Sequence, residues 1–250
     1  MGKQIIYDVH THLFAGSYEK DRNTLLKAAE VFGISKLFVS SLEAGLPNPT
    51  EEQATAANIE TFKFKKDYPD LIEGYIYVSP EHKNSLKLLR QGMEDWGACG
   101  LKLWVSTYCD DEHVFPLVEQ MIEYNAPILI HSFHKAVGQL SNETTACHVA
   151  NLAKRYPEAK LLMAHQGGNA YHALPVIRDF ENVSVDISCS ISRGDDLAYT
   201  IEMLGEDRIL YGTDMPGIYV ANLGKVMDLD ISQQLRDKIF YKNAQKLFGR

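Results

Sequence analysis

Four histidines and one aspartate, at or just past the ends of short apolar runs, have the types and spacing to hold a metal ion. His10 and His12 form an H-x-H pair in DVHTH, His131 ends PILIH, His165 lies in AHQGG and Asp214 in YGTDMP. Residues two apart on an extended strand face the same way, so His10 and His12 can reach one ion together. His131 would add a third nitrogen and Asp214 a carboxylate. Imidazoles with one carboxylate suit Zn first, with Mn, Fe or Co as alternatives, and one ion is expected over two. Such an ion would lower the pKa of its water from about 16 towards 7. Asp214 would then serve as ligand and proton acceptor, while His165 polarises a carbonyl or relays protons. With a second ion, His165 becomes a ligand.

These residues are far apart in the chain, so the fold must bring them together. Eight apolar runs rich in β-branched or aromatic residues cover 4–9, 36–40, 72–78, 100–104, 126–130, 160–164, 183–187 and 209–211. Several are almost continuously apolar, as strands covered on both faces are. Helical periodicity fills 17–32, 50–66, 84–96, 112–124, 146–156, 174–180 and 195–204, and a helical tail follows at 232–248. Gly33 stops the first helix; Pro69 and Pro157 follow two others. Strand and helix in alternation predict a parallel sheet, and eight units predict a closed (β/α)8 TIM barrel spanning 1–250 as one domain. The competing open, doubly wound sheet lacks its glycine-rich phosphate motif after any strand. In a barrel, catalytic groups gather at the carboxyl ends of the strands, where all five residues fall.

Other residues near those ends could bind substrate. Lys102 in GLKLW could hold a substrate carboxylate or pair with a barrel acid; carboxylated, it could bridge two metals. Trp104 and Tyr108 could wall the pocket. His134 and Lys135 follow His131 and could meet an anion. Arg193 could grip a carboxylate or phosphate through two nitrogens, or pair with Asp195 or Asp196. Asp186 could be a barrel acid near the site or a hydrogen-bonded core group. His82, His113, His148 and His172 fall on helices or loops and are read as surface residues.

The 250-residue chain carries a net charge of -8, which disfavours sequence-independent binding of nucleic acid. The four cysteines form no C-x-x-C pair and suit reduced, mostly buried thiols, hence a cytoplasmic protein. Neither a signal peptide nor a membrane span is expected, and the partner is a small-molecule substrate.

The motifs DVHTH, GLKLW, PILIH, AHQGG, YGTDMP and the terminal KNAQKLF, in this order along the chain, resemble the amidohydrolase superfamily, in its amidohydrolase-related branch. The resemblance implies that His10, His12, His131 and Asp214 ligate the metal and that His165 assists catalysis. It further implies a C-terminal packing helix around Asn243, Ala244, Leu247 and Phe248, and a homodimer. The chain is shorter than the branch's decarboxylases, and it lacks the acid that related barrel nucleases carry on the fourth strand. The leading expectation is metal-dependent hydrolysis of a lactone, ester or amide in a small, perhaps carboxylated molecule. The alternative is non-oxidative decarboxylation of an unsaturated or aromatic acid at the same site. A catalytically silent scaffold is the third reading.

Overall fold

The computed structural model describes residues 4–43, 47–189 and 195–249. Its strands are β1 (Tyr7–Phe14), β2 (Lys36–Leu42), β3 (Ile72–Tyr77), β4 (Gly100–Leu103), β5 (Ile128–Ile130), β6 (Leu161–Met163), β7 (Val183–Asp186) and β8 (Ile209–Leu210). Each pairs in parallel with the next in chain order. The ring closes between the first and last strands. The Val9 N–H donates to the Tyr211 carbonyl at 3.0 Å, and Thr11 and Asp214 form a parallel bridge. The fold is the expected (β/α)8 barrel.

Helices α1 (Tyr18–Phe32), α2 (Glu51–Asp67), α3 (Ser85–Glu94), α4 (Phe115–Glu123), α5 (Ala146–Arg155), α6 (Ala170–Ile177) and α7 (Asp196–Leu204) connect the strands. Local chemistry sets their ends. Thr50 and Gln53 form a reciprocal capping box that opens α2. Gly33, at φ 69°, takes the left-handed conformation that ends α1. An additional helix, α8 (Tyr219–Met227), is absent from the sequence reading. Asn222 and Gly224 interrupt its pattern, and Ile218 supplies no capping side chain. The tail breaks into α9 (Gln233–Asp237), a π-helical turn at Lys238–Lys242 and α10 (Asn243–Phe248).

Two features prepare the site. First, β1 runs on to Phe14, so the H-x-H pair lies within a strand rather than just beyond one. Its pairing with β2 slips between Asp8 and Thr11, which is a β-bulge. A bulge lets consecutive residues share a face. Val9 packs with Phe38, Tyr75, Leu129, Leu162 and Leu210 in an apolar layer inside the barrel. His10, the next residue, reaches the inward-facing Lys102 and Asp186.

Second, the apolar end of the barrel is plugged. The Phe248 ring lies 4.4 Å from that of Phe38 and 6.0 Å from that of Tyr75. The Asn243 amide donates to the carbonyls of Glu206 and Ile209, each at 2.8 Å, and anchors α10. The packing role expected of the C-terminal helix is therefore present.

Outside the barrel α3 lies against β3 at Gly92, where a Cβ would come within 2.6 Å of two Ile76 side-chain carbons. Ile76 is fully buried and cannot yield freely. Gly92→Ala should cost about 1–3 kcal/mol through overpacking. For a chain of this size that lowers the melting temperature by about 2–4 °C per kcal/mol. A calorimetric scan matching the parent would show that α3 does not dock as described.

Candidate active site

The site is built from the carboxyl ends of β1, β4, β6, β7 and β8. The Nε2 atoms of His10 and His12 lie 3.0 Å apart. Asp214 Oδ1 lies 3.5 Å from the first, 3.4 Å from the second and 3.9 Å from Nε2 of His165. Three imidazole nitrogens thus surround one carboxylate oxygen.

The partners on the far side of each ring fix which nitrogen is free. His10 Nδ1 lies 2.9 Å from Asp186 Oδ2, a pure acceptor, so Nδ1 carries the proton. His12 Nδ1 donates to the Ser40 carbonyl at 3.0 Å. Both rings therefore present bare Nε2 lone pairs to one another. Burial, reinforced by the nearby charge of Lys102, holds both imidazoles below the usual histidine range and hence neutral. Two facing lone pairs and a carboxylate oxygen attract positive charge, and the Lys102 amine already lies 3.0 Å from His10 Nε2. This nitrogen and oxygen donor set fits a divalent transition metal. Among the described residues, ligand atoms converge within 4.8 Å in two groups: His10, His12 and Asp214, and His10, His165 and Asp186.

Lys102 is fully buried, with Nζ 3.0 Å from His10 Nε2. Burial brings its amine down to about 8, against the pull of Asp214 and Asp186. Among the described residues it forms no salt bridge within 4 Å, and its amine is directed at His10 Nε2.

Asp186 is the hub behind the candidate ligands. One oxygen accepts from His10 Nδ1. The other accepts from the backbone N–H groups of His165 and Ser188, each at 3.0 Å, and from the Ser188 hydroxyl. Ser188 Oγ in turn meets His165 Nδ1 at 2.9 Å. Both sequence readings of Asp186 thus hold at once: it is a barrel acid beside the site and a hydrogen-bonded core group. Burial brings His165 down to about 4, so this ring is neutral as well.

Backbone strain accompanies the cluster. His165, Gln166 and Gly167 follow one another at φ 59°, 48° and 69°, and Asp214 stands at φ 70°. Left-handed conformations in non-glycine residues cost roughly 1–2 kcal/mol each and persist where surrounding contacts over-determine them. Here those contacts are the Asp186 bond to the His165 N–H and, for Asp214, donation of its own N–H to the His10 carbonyl at 2.6 Å.

Asp8 ties β1 to the loop after β8. It accepts from the Thr213 hydroxyl at 2.6 Å, the Thr213 N–H at 3.1 Å and the His10 N–H at 3.2 Å. Burial pushes its carboxyl up to about 7 in spite of these bonds.

The remaining sequence candidates are placed as follows. His131 stands beside the two convergent groups. Its ring centroid is 5.2 Å from that of His165, and its Nε2 lies 2.9 Å from Glu143 Oε1. Trp104 is partly buried, with Phe14, against Leu42, Ala54 and Tyr77. His134 is exposed, its ring 5.1 Å from that of His172. It shares with Lys135 and His165 the wall of a cavity of about 320 Å³. Arg193 lies outside the described residues.

Glu143, Ser40, Ser188 and Thr213 were not singled out from sequence. Each acts through a fold-dependent contact that no spacing signals, Glu143 from an irregular polar segment.

The amidohydrolase family model matches residues 7–250, and the chain belongs to that family. No curated protein sequence matches it. Among solved structures it is similar to 2,6-dihydroxybenzoate decarboxylase from Rhizobium, at 18% identity over 100% of this chain and 99% of that one, with a TM-score of 0.77. A dihydroxybenzoic acid decarboxylase from Polaromonas sp. JS666, with bound manganese and the inhibitor 2-nitroresorcinol, aligns at 18% identity, coverage of 100% and 97%, and a TM-score of 0.76. A 4-oxalomesaconate hydratase from Rhodopseudomonas palustris aligns at 18%, 98% and 95%, with a TM-score of 0.73. At such identities the likeness is one of fold. Among the described residues no helix is long and apolar enough to cross a membrane.

The Asp186 contact sets the tautomer of His10. Removing such a partner typically weakens metal binding about 10–100-fold. Asp186→Asn should therefore raise the Mn²⁺ dissociation constant by that factor in a titration followed by electron paramagnetic resonance. A variant binding Mn²⁺ as tightly as the parent would remove Asp186 from this role.

Proposed function

We propose that the protein is a divalent-metal-dependent hydrolase that cleaves a C–O or C–N bond, as in a lactone, ester or amide, of a small carboxylate-bearing molecule. The observation that carries this reading is the convergence of three Nε2 atoms on Asp214 Oδ1. His10, His12 and Asp214 would hold the ion, with His131 as a further ligand. Either Zn or Mn satisfies this donor set; manganese is bound in the Polaromonas decarboxylase. A divalent ion supplies Lewis acidity, which polarises a substrate oxygen and acidifies water near neutral pH.

The chain's own groups divide the remaining work. The side chains of His10 and His12 are 0–3% exposed, whereas that of Asp214 is 23% exposed. Asp214 is thus the member of the cluster that a water or substrate can reach, and it accepts the proton as water attacks. His165, neutral and buried, has Nδ1 held by Ser188 and Nε2 facing Asp214. It steadies negative charge on the substrate oxygen or passes the proton to the leaving group. The buried ammonium of Lys102 orients a substrate carboxylate, since a buried cation is stabilised by an ionic partner.

A second reading, decarboxylation of an unsaturated or aromatic acid, is favoured by two observations. Two structurally similar proteins are decarboxylases. Lys102 also places a cation where a departing carboxylate could sit. In that case Asp214 and His165 deliver a proton to carbon.

The test is a screen of the Mn²⁺-loaded and Zn²⁺-loaded protein on lactones, esters, amides and carboxylated aromatics, followed by release of acid and of carbon dioxide. Acid release that drops about 10²–10⁴-fold in Asp214→Asn is the expected result. Carbon dioxide release without acid release transfers the assignment to the second reading. Acid release at parental rates in Asp214→Asn would end the proton-acceptor role.

A further inference from the structure

Glu143 lies outside the convergent groups yet carries a dense set of bonds. Its side chain is 1% exposed. Oε1 accepts from His131 Nε2 at 2.9 Å and Lys135 Nζ at 2.7 Å. Oε2 accepts from Lys135 Nζ at 2.7 Å, Gln139 Nε2 at 2.9 Å and the Leu140 N–H at 3.2 Å. A carboxylate offers about four lone-pair sites, so Glu143 is saturated. Burial alone would raise its carboxyl, but the bonds from His131, Lys135 and Leu140 overcome this and bring it down to about 2.

Its partners fall in two places. His131 sits against His165 at the site. Lys135, Gln139 and Leu140 belong to the segment between β5 and α5, which has no regular secondary structure and is exposed from Ala136 to Ser141. This segment contributes Phe133, His134, Lys135, Ala136 and Val137 to the wall of the cavity that His165 also lines. Its two ends are tied to the barrel: the Phe133 N–H donates to Thr144 and the His134 N–H to Gly167 at one end, while Tyr108 donates to the Ser141 carbonyl and Asn142 to the Ser106 carbonyl at the other. Between them, from Lys135 to Leu140, the hydrogen bonds among the described residues are Lys135 N–H to Gln139 Oε1, Gln139 Nε2 to the Phe133 carbonyl and those to Glu143. An exposed middle stretch whose hydrogen bonds out of itself all run to Glu143 would open locally at low cost without that carboxylate. Glu143 therefore orders Lys135, Gln139 and Leu140 from one point.

We propose that Glu143 is a positioning residue that couples His131 to the wall formed by residues 133–142, so that metal binding and ordering of the wall reinforce one another. The proposal rests on the metal-site reading above and extends it. An ion that restricts His131 also restricts Glu143, and with it Lys135, Gln139 and Leu140. By linkage, loosening the wall must weaken the ion by the same factor as the ion tightens the wall. Glu143 touches no reacting group; its influence passes through His131 and Lys135.

The experiment is hydrogen–deuterium exchange on the full chain with and without Mn²⁺, joined to a Mn²⁺ titration, for the parent, Glu143→Gln and Lys135→Met. In the parent, Mn²⁺ should slow exchange across 133–143. In Glu143→Gln that protection should disappear and Mn²⁺ affinity should fall about tenfold, the lower end for loss of an outer-shell partner. Lys135→Met keeps the His131 contact, so it should speed exchange of the segment and shrink the Mn²⁺-induced protection. A purely structural clamp would speed exchange in the variants but leave Mn²⁺ affinity unchanged, and that result overturns the proposal. So does full Mn²⁺-induced protection in Lys135→Met, which holds the test open should Glu143→Gln fail to fold. A parent that binds neither Mn²⁺ nor Zn²⁺ would sink the metal-site reading itself. A parent that binds Mn²⁺ with unaltered exchange at 133–143 would sink only the coupling.

Discussion

The carbonyl of His10 accepts two backbone N–H groups from across the barrel seam, those of Thr213 at 3.0 Å and Asp214 at 2.6 Å. This fork joins the first strand to the last, and the site depends on it. It completes the ring of strands, turns Asp214 into a left-handed conformation and brings its carboxylate to the Nε2 atoms of His10 and His12. Asp8 reinforces the same seam from one turn of pleat earlier through its bonds to Thr213. Closure of the fold and assembly of the donor set are thus one event. The bulge in β1 is its counterpart, since it lets Val9 fill the apolar layer while His10 faces the polar one.

Behind the histidine cluster, Asp186 plays for side chains the part the His10 carbonyl plays for the backbone. One oxygen holds the imidazole of His10 and the other holds the N–H groups of His165 and Ser188. Fixing Nδ1–H leaves the lone pair on Nε2, which is how such outer partners tune a metal ligand. The strained run from His165 to Gly167 is held by one of these bonds. Rigidity of this kind keeps reacting groups aligned without reorganisation at the moment of reaction.

Much of this was legible in the sequence because it rests on short-range pattern. The period-two spacing of His10 and His12 and the apolar runs before His131, His165 and Asp214 pointed to strand ends, and eight such runs favoured a barrel over an open sheet. The terminal KNAQKLF resembled a packing helix, and Phe248 and Asn243 do pack there, but that it plugs the barrel shows only in the fold. What escaped depends on contacts across the fold. The bulge that keeps β1 extended through His12 has no local signature, and α8 is broken in its pattern by Asn222 and Gly224. Glu143 reads as one acid in the polar stretch SNETT, and only the folded chain shows it buried against His131 and Lys135. Lys102 was read as facing the site, but its 3.0 Å approach to His10 Nε2 is a property of the assembled barrel.

The seam also fixes the order of events during synthesis. His10 is synthesised long before Asp214, which follows the eighth strand, and before α10, which plugs the opposite end. Until both have been made, the nascent chain holds only scattered imidazoles. Any ion that the site takes is therefore gathered late, by a barrel whose strands are already paired.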